Sequence, residues 1–501
     1  MSDLPKLLRL KVSQSPRRPT RQILNSLEQV IVVVPEKPSS KLLGTIPHGS
    51  QLKRLLIRTG KPIVESHLQN DNATGITLAI FAADSAFDQL TWARRVIASC
   101  QRTNPRTVGI FTAGLDSDRR TEALISLIAA AEAVAFRMPS FKSKEERQLR
   151  LSSIKLLGCK SRIELKETRA ESLGNNIARW FTALPPNKLD AHTYRKAIQE
   201  LAKQYNIKFS FLNETKLKTL GAGAFLAVSQ GNASRSAGII RLSYRPNGQE
   251  NPAVALVGKG ILFDTGGTNL KPFKNMLDMH MDMQGSAVAL GTLIALASLK
   301  VPYAVDTWLA VTENRISATA YKSQDIVCAA NGTTIQVIHT DAEGRMVLAD
   351  TLAIAAREKP TVMLDYATLT GTCVAALTER YSGIFSNRAA ANQILRHAGV
   401  SSGERVWPFP MDSDYDDLLR SNVADIKQCS ISGPGDHILA ARFLSRFVPD
   451  STPWIHLDLS AGQAKGGLAH IPSNVTGFGV RLTLELLRTH HPMELAQQLS
   501  S

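Results

Sequence analysis

From about residue 207 onward, the chain alternates short, almost continuously apolar runs with stretches of helical spacing. The strand-like runs are NIKFSFL, AVALVGKGILFD, YAVDTWLAVTEN, TIQVIHTD, TVMLDYATLTG and WIHLDLS, and helical patterns such as GSAVALGTLIALASL and RMVLADTLAIAARE separate several of them. Strands that are apolar on both sides are typical of parallel sheets with helices on both faces. The alternation therefore predicts an α/β fold with a mainly parallel sheet covered by helices on both faces.

The N-terminal third shows the same alternation on a smaller scale. The strand-like runs QVIVVVPE, GITLAIFAAD and TVGIFTAGL accompany the helical patterns AFDQLTWARRVIASC and ALISLIAAAEAVAF. A chain of 501 residues is also too long for one growing hydrophobic core. We therefore predict a small N-terminal α/β domain at 1–170, a linker helix and junction at 171–190, where Pro185 and Pro186 break the helical pattern, and a larger C-terminal α/β domain at 191–501.

The cysteines and the apolar segments bear on the compartment. The five cysteines are scattered without a CxxC pair, which argues for free thiols in a reducing compartment and against a cysteine zinc site. The most apolar stretch, Gly285–Leu299, is too short to span a bilayer, so we expect a buried helix and no membrane partner. We predict a cytoplasmic protein. Six Lys and Arg in the first 22 residues leave a mitochondrial transit peptide as the alternative.

The net charge of +16 is concentrated at the start of the chain. Residues 1–170 hold 28 Lys and Arg against 15 Asp and Glu, a balance of +13, whereas residues 171–501 have a balance of only +3. A basic domain can bind an acidic partner such as DNA, or it can simply have a solvated basic surface. Since no helix-turn-helix or RNA-binding signature is present, nucleic-acid binding is at most a secondary role.

Charged side chains follow several of the predicted strands. The carboxyl ends of parallel strands meet at one edge of a sheet, where ligands bind in open α/β folds. Buried lysines are costly unless they are paired, so a lysine inside an apolar strand also points to nearby carboxylates. The residues that we expect to converge at this edge are Lys259, Asp264, Lys271, Asp278, Asp282, Asp341 and Glu343.

A group of carboxylates this large indicates a metal site. Carboxylates at one site repel one another unless a cation neutralises them, and four of them suit two divalent ions about 3.5–4 Å apart. The alternatives are separate surface salt bridges and, for TDAE alone, a charged turn with an Asp helix cap. The sequence contains no HExxH, GxGxxG or GxxxxGK[ST] motif, so other metalloprotease and nucleotide-binding interpretations have little support.

Five motifs carry a family resemblance: VGKGILFDTGG, LKP, MDMQGSA, HTDAEGRMVLAD and DYATLTG. Weaker similarity lies in PPNKL, LLRSNVADIKQ, GPGDHILAARFL and TGFGVRL. The chain resembles the leucyl aminopeptidases, also called cytosol aminopeptidases, over roughly residues 175–485, and its first third matches them only in α/β character. The resemblance implies a dinuclear metallo-aminopeptidase that removes N-terminal residues, with leucine-type preference, from peptides with a free N-terminus. It also implies a homohexamer, and some bacterial members of the family bind DNA.

The resemblance further implies roles for individual residues. Two divalent ions, Mn²⁺ or Zn²⁺ with Mg²⁺ as a further option, would be bound by Lys259, Asp264, Asp282, Asp341 and Glu343. As a ligand Lys259 would have to be neutral, and metal charge and burial both lower its pKa. Lys271 would stabilise the tetrahedral oxyanion, and Arg345 would hold a bicarbonate ion that acts as general base. The positions that would shape the pocket or contact substrate are Met279, Thr368, Leu369 and Gly371.

Three features depart from the family pattern. His339 stands where the family usually has Asn, Thr265 replaces a usual Ser, and ENRISATAYKSQDIV is a variant of a loop that is usually rich in Pro and Gly. None of them removes a predicted metal ligand. The alternative function is a DNA-binding regulator or a largely inactive structural homologue that uses the same fold.

Overall fold

The computed structural model describes residues 4–5, 10–144 and 150–500, and the chain divides into two compact units. The smaller unit ends at Ser172 and includes Gly466–Ser473, and the larger unit comprises Leu4 and Pro5, Leu173–Lys465 and the residues from Asn474 onward. The sequence pattern predicts Gly466–Ser473 within the C-terminal domain. Its return to the smaller unit depends on contacts distant in sequence, which local periodicity does not reveal.

The smaller unit contains a six-stranded sheet of order β1-β6-β5-β2-β4-β3, parallel except for the edge strand β3. Its strands are β1 (Lys11–Ser15), β2 (Gln29–Pro35), β3 (Ile63–His67), β4 (Gly75–Phe81), β5 (Thr107–Thr112) and β6 (Ser153–Leu157). Its helices are α1 (Arg21–Asn25), α2 (Ser40–Gly44), α3 (Gly49–Thr59), α4 (Ala86–Cys100) and α5 (Ser117–Ala135). Along β2, Ile31 and Val33 share a core with α4 and α5, whereas Val30 and Val32 pack with α2 and α3. Helices therefore cover both faces.

The larger unit contains most of the secondary structure. Its strands are β7 (Lys208–Asn213), β8 (Gly238–Tyr244), β9 (Val254–Asp264), β10 (Val305–Asn314), β11 (Ile326–Cys328), β12 (Thr334–Gln336), β13 (Val362–Ala367), β14 (Ser382–Ser386), β15 (Val406–Pro408), β16 (Ile426–Lys427) and β17 (Trp454–Asp458). Its helices are α6 (Lys166–Thr182, which begins before Leu173), α7 (Ala191–Gln204), α8 (Glu214–Thr219), α9 (Gly223–Ser229), α10 (Phe273–Met276), α11 (Gln284–Leu299), α12 (Glu343–Ala356), α13 (Gly371–Leu377), α14 (Ala391–Ser402), α15 (Asp436–Ser445), α16 (Val480–Thr489) and α17 (Pro492–Ser500).

Eight of these strands form the main sheet, in the order β15-β14-β17-β13-β9-β10-β8-β7. The central strands β17, β13, β9 and β10 are parallel, and antiparallel strands follow on either side. Consecutive residues of a strand point to opposite faces. On β9, Gly258 lies against Ser286 of α11, whereas the side chain of Lys259 lies against Gly344 of α12. The predicted parallel core with helices on both faces is therefore confirmed.

A second, three-stranded sheet of order β11-β12-β16 carries the segment that leads to TDAEGR. We expected the strand-like run TIQVIHTD in the mainly parallel sheet, and this was wrong. β12 ends at Gln336 and belongs to the small sheet, and α12 begins at Glu343. Buried apolar residues indicate a strand, but they do not indicate which sheet it joins.

One stretch of the described residues, Phe273–Leu299, has the length and apolar composition of a membrane span. In the fold, however, 83% of its most apolar window is buried. Every residue of α11 from Gln284 to Leu296 is buried, and α11 contacts β9, β10 and β13. α11 is therefore a core helix, as the sequence predicts for Gly285–Leu299.

Candidate metal centre

The candidate site lies at the carboxyl ends of the four central strands of the main sheet. Asp264 is the last residue of β9, Asn314 is the last residue of β10, and Asp458 is the last residue of β17. Thr368 directly follows β13. Parallel strands deliver these polar groups to one edge, which is the usual ligand-binding edge of an α/β sheet.

Three of the predicted metal ligands form a compact carboxylate cluster. Asp264, Asp341 and Glu343 each present one oxygen, and these oxygens lie within 4.8 Å of one another. Asp341 reaches the cluster from a turn, and Glu343 is the first residue of α12. Gly266, at φ +85°, turns the backbone after β9 so that its N–H donates to Asp264 Oδ1 at 2.9 Å. The two ligands after β12 thus meet the ligand from β9, although they come from different sheets.

Lys259 and Asp282 extend this cluster into the core. Lys259 Nζ lies 2.8 Å from Asp282 Oδ1 and 3.0 Å from Glu343 Oε1, and it donates to the carbonyl oxygen of Thr368 at 2.9 Å. The Thr368 hydroxyl donates to the same Asp282 oxygen at 2.8 Å. Lys259, Asp282 and Glu343 are all buried. The predicted pairing of the strand lysine with carboxylates is therefore present.

Lys271 closes the cluster on its more exposed side. Its ammonium group lies 2.9 Å from Asp264 Oδ2 and also pairs with Asp341 Oδ1. The Lys271 side chain is mostly buried, whereas Asp341 is more exposed. Lys271 therefore places a positive charge beside Asp264 and Asp341.

Arg345 follows Glu343 by two residues in α12, and its guanidinium group is hydrogen-bonded to groups of the same chain. Its Nη2 donates to Asp436 Oδ2 at 2.6 Å, and its Nη1 donates to the carbonyl oxygen of Gln428 at 3.3 Å. Arg345 is 2% exposed, and the side chain of Asp436 is 25% exposed. The bicarbonate expected at Arg345 would therefore meet a guanidinium that already has a carboxylate partner.

Burial shifts the ionisation of the acidic groups. It raises the pKa of Asp282 to about 8, of Glu343 to about 7 and of Asp341 to about 6, with mutual repulsion adding to the effect. Burial alone would lower the pKa values of Lys259 and Lys271. The surrounding carboxylates outweigh it and raise both pKa values above their usual range. Burial thus lowers the pKa of Lys259, as predicted, whereas the neighbouring carboxylates raise it.

These residues fit two divalent cations. Four carboxylates share the cluster with two ammonium groups, which leaves an excess of negative charge. Within the described part of the chain, Asp282 Oδ2 is buried without a hydrogen-bond partner, so it is available as a ligand. Carboxylate oxygens and a lysine nitrogen suit Mn²⁺, Mg²⁺ and Zn²⁺. Asp278, in contrast, is exposed and outside the cluster, so we were wrong to include it.

Among the predicted substrate positions, Thr368 contacts Lys259 and Asp282 of the cluster. Met279, Thr368 and Leu369 are partly exposed and Gly371 is exposed, at the start of α13. The backbone N–H of Leu369 donates to Asp458 Oδ1 at 3.1 Å, which fixes the turn after β13. These locations are compatible with a pocket rim, and their contacts with substrate stay a prediction.

Two buried amides that we did not single out organise the site. Asn314 Nδ2 lies 2.8 Å from Asp264 Oδ1 and 3.3 Å from Glu343 Oε2, so it orients two of the three clustered ligands. Gln428 accepts from the backbone N–H groups of Ile338 and His339 at 3.1 Å each and donates to Ala342 O at 3.0 Å. The signals were present, since Asn314 ends a strand-like run and Gln428 ends the motif LLRSNVADIKQ.

The two histidines near the carboxylates are not in the cluster. His339 Nδ1 accepts from the backbone N–H of Asp341 at 3.3 Å, and its ring therefore braces the turn that carries this ligand. Burial lowers the pKa values of both His280 and His339. The departure from the usual Asn at 339 leaves every predicted metal ligand in place.

Comparisons with known proteins agree with this geometry. The model of the cytosol aminopeptidase family, catalytic domain, matches residues 176–484. A probable cytosol aminopeptidase of Chlorobaculum tepidum is 39% identical over 355 residues, which cover 69% of this chain and 70% of the relative. The cytosol aminopeptidase of Rickettsia prowazekii is 35% identical over 377 residues, which cover 73% of this chain and 75% of that one.

Solved structures share the fold across both units. A mutant of tomato leucine aminopeptidase has a TM-score of 0.82 and 25% identity, with 97% of each chain covered. The bottromycin maturation enzyme BotP in complex with Mn has a TM-score of 0.80 and 28% identity, with 92% of this chain and 99% of that chain covered. The chain therefore belongs to the cytosol aminopeptidase family and is a metal-dependent aminopeptidase that acts on peptides with two divalent metal ions.

Proposed function

We propose that this enzyme removes N-terminal residues, with leucine-type preference, at a two-metal centre. The ligands are Lys259, Asp264, Asp282, Asp341 and Glu343, and the catalytic residues are Lys271 and Arg345. The observation that carries the proposal is the carboxylate cluster within 4.8 Å at the strand ends, with two lysines paired into it. When bound, two divalent ions lower the pKa of a water molecule and polarise the scissile carbonyl group.

The remaining roles follow from the charges of the chain itself. The free α-amino group of a peptide would bind one of the ions held by these ligands, which favours cleavage at the N-terminus. Lys271 supplies a positive charge beside Asp264, where it can stabilise the oxyanion that develops on the substrate. Arg345, buried two residues after Glu343, positions an anionic group that accepts a proton. Met279, Thr368, Leu369 and Gly371 form the pocket for the N-terminal side chain.

A matched pair of substrates tests this proposal. We expect the protein loaded with Mn²⁺ or Zn²⁺ to hydrolyse a leucyl anilide and to leave its N-acetylated form intact, because an acetylated amine can no longer coordinate a metal ion. A panel of aminoacyl anilides then measures the preference for leucine. An equal rate on the acetylated substrate would contradict the exopeptidase role, and absence of activity in a metal-loaded sample of known mass would contradict the two-metal proposal.

We also propose a homohexamer, a dimer of trimers with active sites facing an interior cavity. Large apolar side chains exposed beside the site support an interface there, since Phe273 is 77% exposed and Leu277 is 62% exposed. Light scattering of the metal-loaded protein should give six times the chain mass of 54.6 kDa. A fully active monomer would refute the assembly.

A second proposed function is DNA binding by the smaller unit. The balance of +13 over residues 1–170 supports it, as does α3, which has no acidic residue and exposes Arg54 and Arg58 one turn apart. Affinity for duplex DNA should fall steeply with salt because phosphate contacts release counterions. Replacing Arg54 and Arg58 with Glu should weaken binding in a gel shift without changing peptidase activity. No shift of the unmodified protein at low salt would exclude this role.

We propose that the enzyme works in the cytoplasm. The names of its relatives support this location, and so do its five cysteines, all of which are free. The alternative is a mitochondrial location directed by the basic first 22 residues. Fractionation of cells that express the full chain distinguishes the two, and enrichment with mitochondria would overturn the cytoplasmic proposal.

A further inference from the structure

The pairing of Arg345 with Asp436 has a consequence for the proton acceptor of the reaction. Arg345 is buried beside Glu343, and its Nη2 donates to Asp436 Oδ2 at 2.6 Å. A charge-assisted bond of this length is among the stronger hydrogen bonds in proteins. The guanidinium charge is therefore already balanced by a carboxylate of the same chain.

A dissolved anion has little room to bind Arg345 in addition. Of the five N–H groups of the guanidinium, one on Nη2 serves Asp436 and one on Nη1 serves the Gln428 carbonyl oxygen. Nε has no partner within the described residues, but Arg345 is 2% exposed, so its remaining N–H groups are shielded from solvent while Asp436 stays in place. A dissolved anion would therefore have to displace Asp436, which competes from within the chain at a high effective concentration. The residues present do not fit bicarbonate as a resident group.

Asp436 itself has the properties of a proton acceptor. It is the first residue of α15, which is ten residues long, and its side chain is 25% exposed, whereas Arg345 behind it is 2% exposed. One oxygen, Oδ2, is held by Arg345, and no hydrogen bond within the described chain is found for Oδ1. The carboxylate is thus fixed by a buried cation on one side and accessible on the other.

We infer that Asp436 replaces bicarbonate as the anionic partner of Arg345, so that peptide hydrolysis by this enzyme is independent of bicarbonate. The carboxylate takes a proton from the attacking water as its oxygen bonds to the scissile carbon. The same proton passes to the leaving amine when the C–N bond breaks, which returns Asp436 to its charged form. The inference rests on the proposed role of Arg345 and assigns the group that it positions.

The test compares wild type, Asp436→Gly and Asp436→Asn in degassed, bicarbonate-free buffer, with sodium bicarbonate or matched sodium chloride added. We expect the wild-type rate to change less than about 2-fold on addition of bicarbonate. Both variants should lose about 10²–10⁴-fold in rate without it, the usual contribution of a general base. Bicarbonate should restore at least part of the rate of Asp436→Gly, in which space is freed beside Arg345. Asp417→Asn, in an exposed pair with Arg420, is the matched control and should behave as wild type.

Binding is measured separately from activity. In calorimetric titration with sodium bicarbonate, the metal-loaded wild type should give no saturable heat, whereas Asp436→Gly should bind. Saturable binding to the wild type, a wild-type rate that rises 10-fold or more with bicarbonate, or a full rate for both variants without it would each overturn the inference. A wild type inactive towards every unblocked peptide would instead contradict the proposed function, and the titration would still decide whether Arg345 accepts the ion.

Discussion

Gly344 lies directly against the side chain of Lys259, so closely that a Cβ on Gly344 would be 2.6 Å from Lys259 Nζ. The only atoms in the way belong to the flexible end of the lysine, and alanine is at least as favourable as glycine within a helix. We predict that Gly344→Ala leaves the fold stable but moves Nζ away from Asp282 and Glu343. Metal affinity, measured by competition with a chelator, should fall about 10-fold to 100-fold.

Gly44→Ala is the control for this prediction. Gly44 also lies in a helix, and a Cβ there would meet no atom within 4 Å. Its metal affinity and melting temperature should match those of wild type. If Gly344→Ala keeps wild-type metal affinity, the position of Lys259 Nζ does not determine metal binding, which would contradict its role as a ligand.

Metal binding and the chemical step should depend on different residues. Asp341→Ala and Glu343→Ala remove members of the cluster, so metal content and activity should fall together. Lys271→Ala should keep both metals and lose about 10²–10³-fold in kcat, as expected for one lost oxyanion partner. Metal analysis beside kinetics on each purified variant checks this division. Loss of metal by Lys271→Ala as severe as that of Asp341→Ala would show that the assignment of roles is wrong.

Asn314 should matter although it is not a predicted ligand. Its amide hydrogen-bonds with Asp264 and Glu343, and second-layer groups of this kind usually contribute about 10-fold to 100-fold to metal affinity or activity. We predict a loss of that size for Asn314→Ala. Asn331→Ala, which removes an exposed bond to Arg446, is the control and should bind metal normally. Equal affinities of the two variants would argue against ligand orientation by Asn314.

A buried carboxylate in the middle of α12 should make stability depend on pH. Asp350 accepts from the backbone N–H groups of Phe225 and Ala330 at 2.7 Å each, and burial raises the pKa of Asp350 to about 7. The folded state therefore binds this proton more tightly than the unfolded state. The stabilisation is complete below the unfolded pKa near 3.8 and is lost as pH rises through 7.

Asp350→Asn isolates this effect because it removes the titration. The substitution leaves one backbone N–H facing an amide group, at a cost of about 1–3 kcal/mol. Since the wild-type advantage shrinks as pH rises, the loss in free energy of unfolding should be larger at pH 5 than at pH 8. Urea unfolding of the chelated proteins at both values measures it. A loss that grows with pH would show that the proton is bound less tightly in the folded state than we predict.

The sequence was most informative where a single strand determines both which of its residues are buried and where its last residue lies. The apolar run around Lys259 predicted a buried strand ending at Asp264, and β9 has this form because its two faces contact α11 and α12. The helical pattern AFDQLTWARRVIASC coincides with α4, whose N-cap Ser85 accepts from Asp88 N–H. Local periodicity and caps act within a few residues, so they can be found without tertiary information.

The sequence was least informative where the site depends on distant parts of the chain. Asp341 was expected at the end of a main-sheet strand, but the preceding strand pairs with β11 and β16. The pairing of Arg345 with Asp436 joins residues 91 positions apart. Neither relationship has a local signature, because strand pairing and side-chain partners are chosen by the packing of the whole unit.

The position of Gln428 in the chain sets when the site can form during synthesis. Its amide donates to Ala342 O, 86 positions earlier, and fixes the turn that carries Asp341. At about 5–20 residues per second, the ribosome adds this residue about 4–17 seconds after the ligands themselves. A nascent chain therefore exposes its carboxylates well before it can arrange them, and hydrolytic competence arises only once the C-terminal part has folded back.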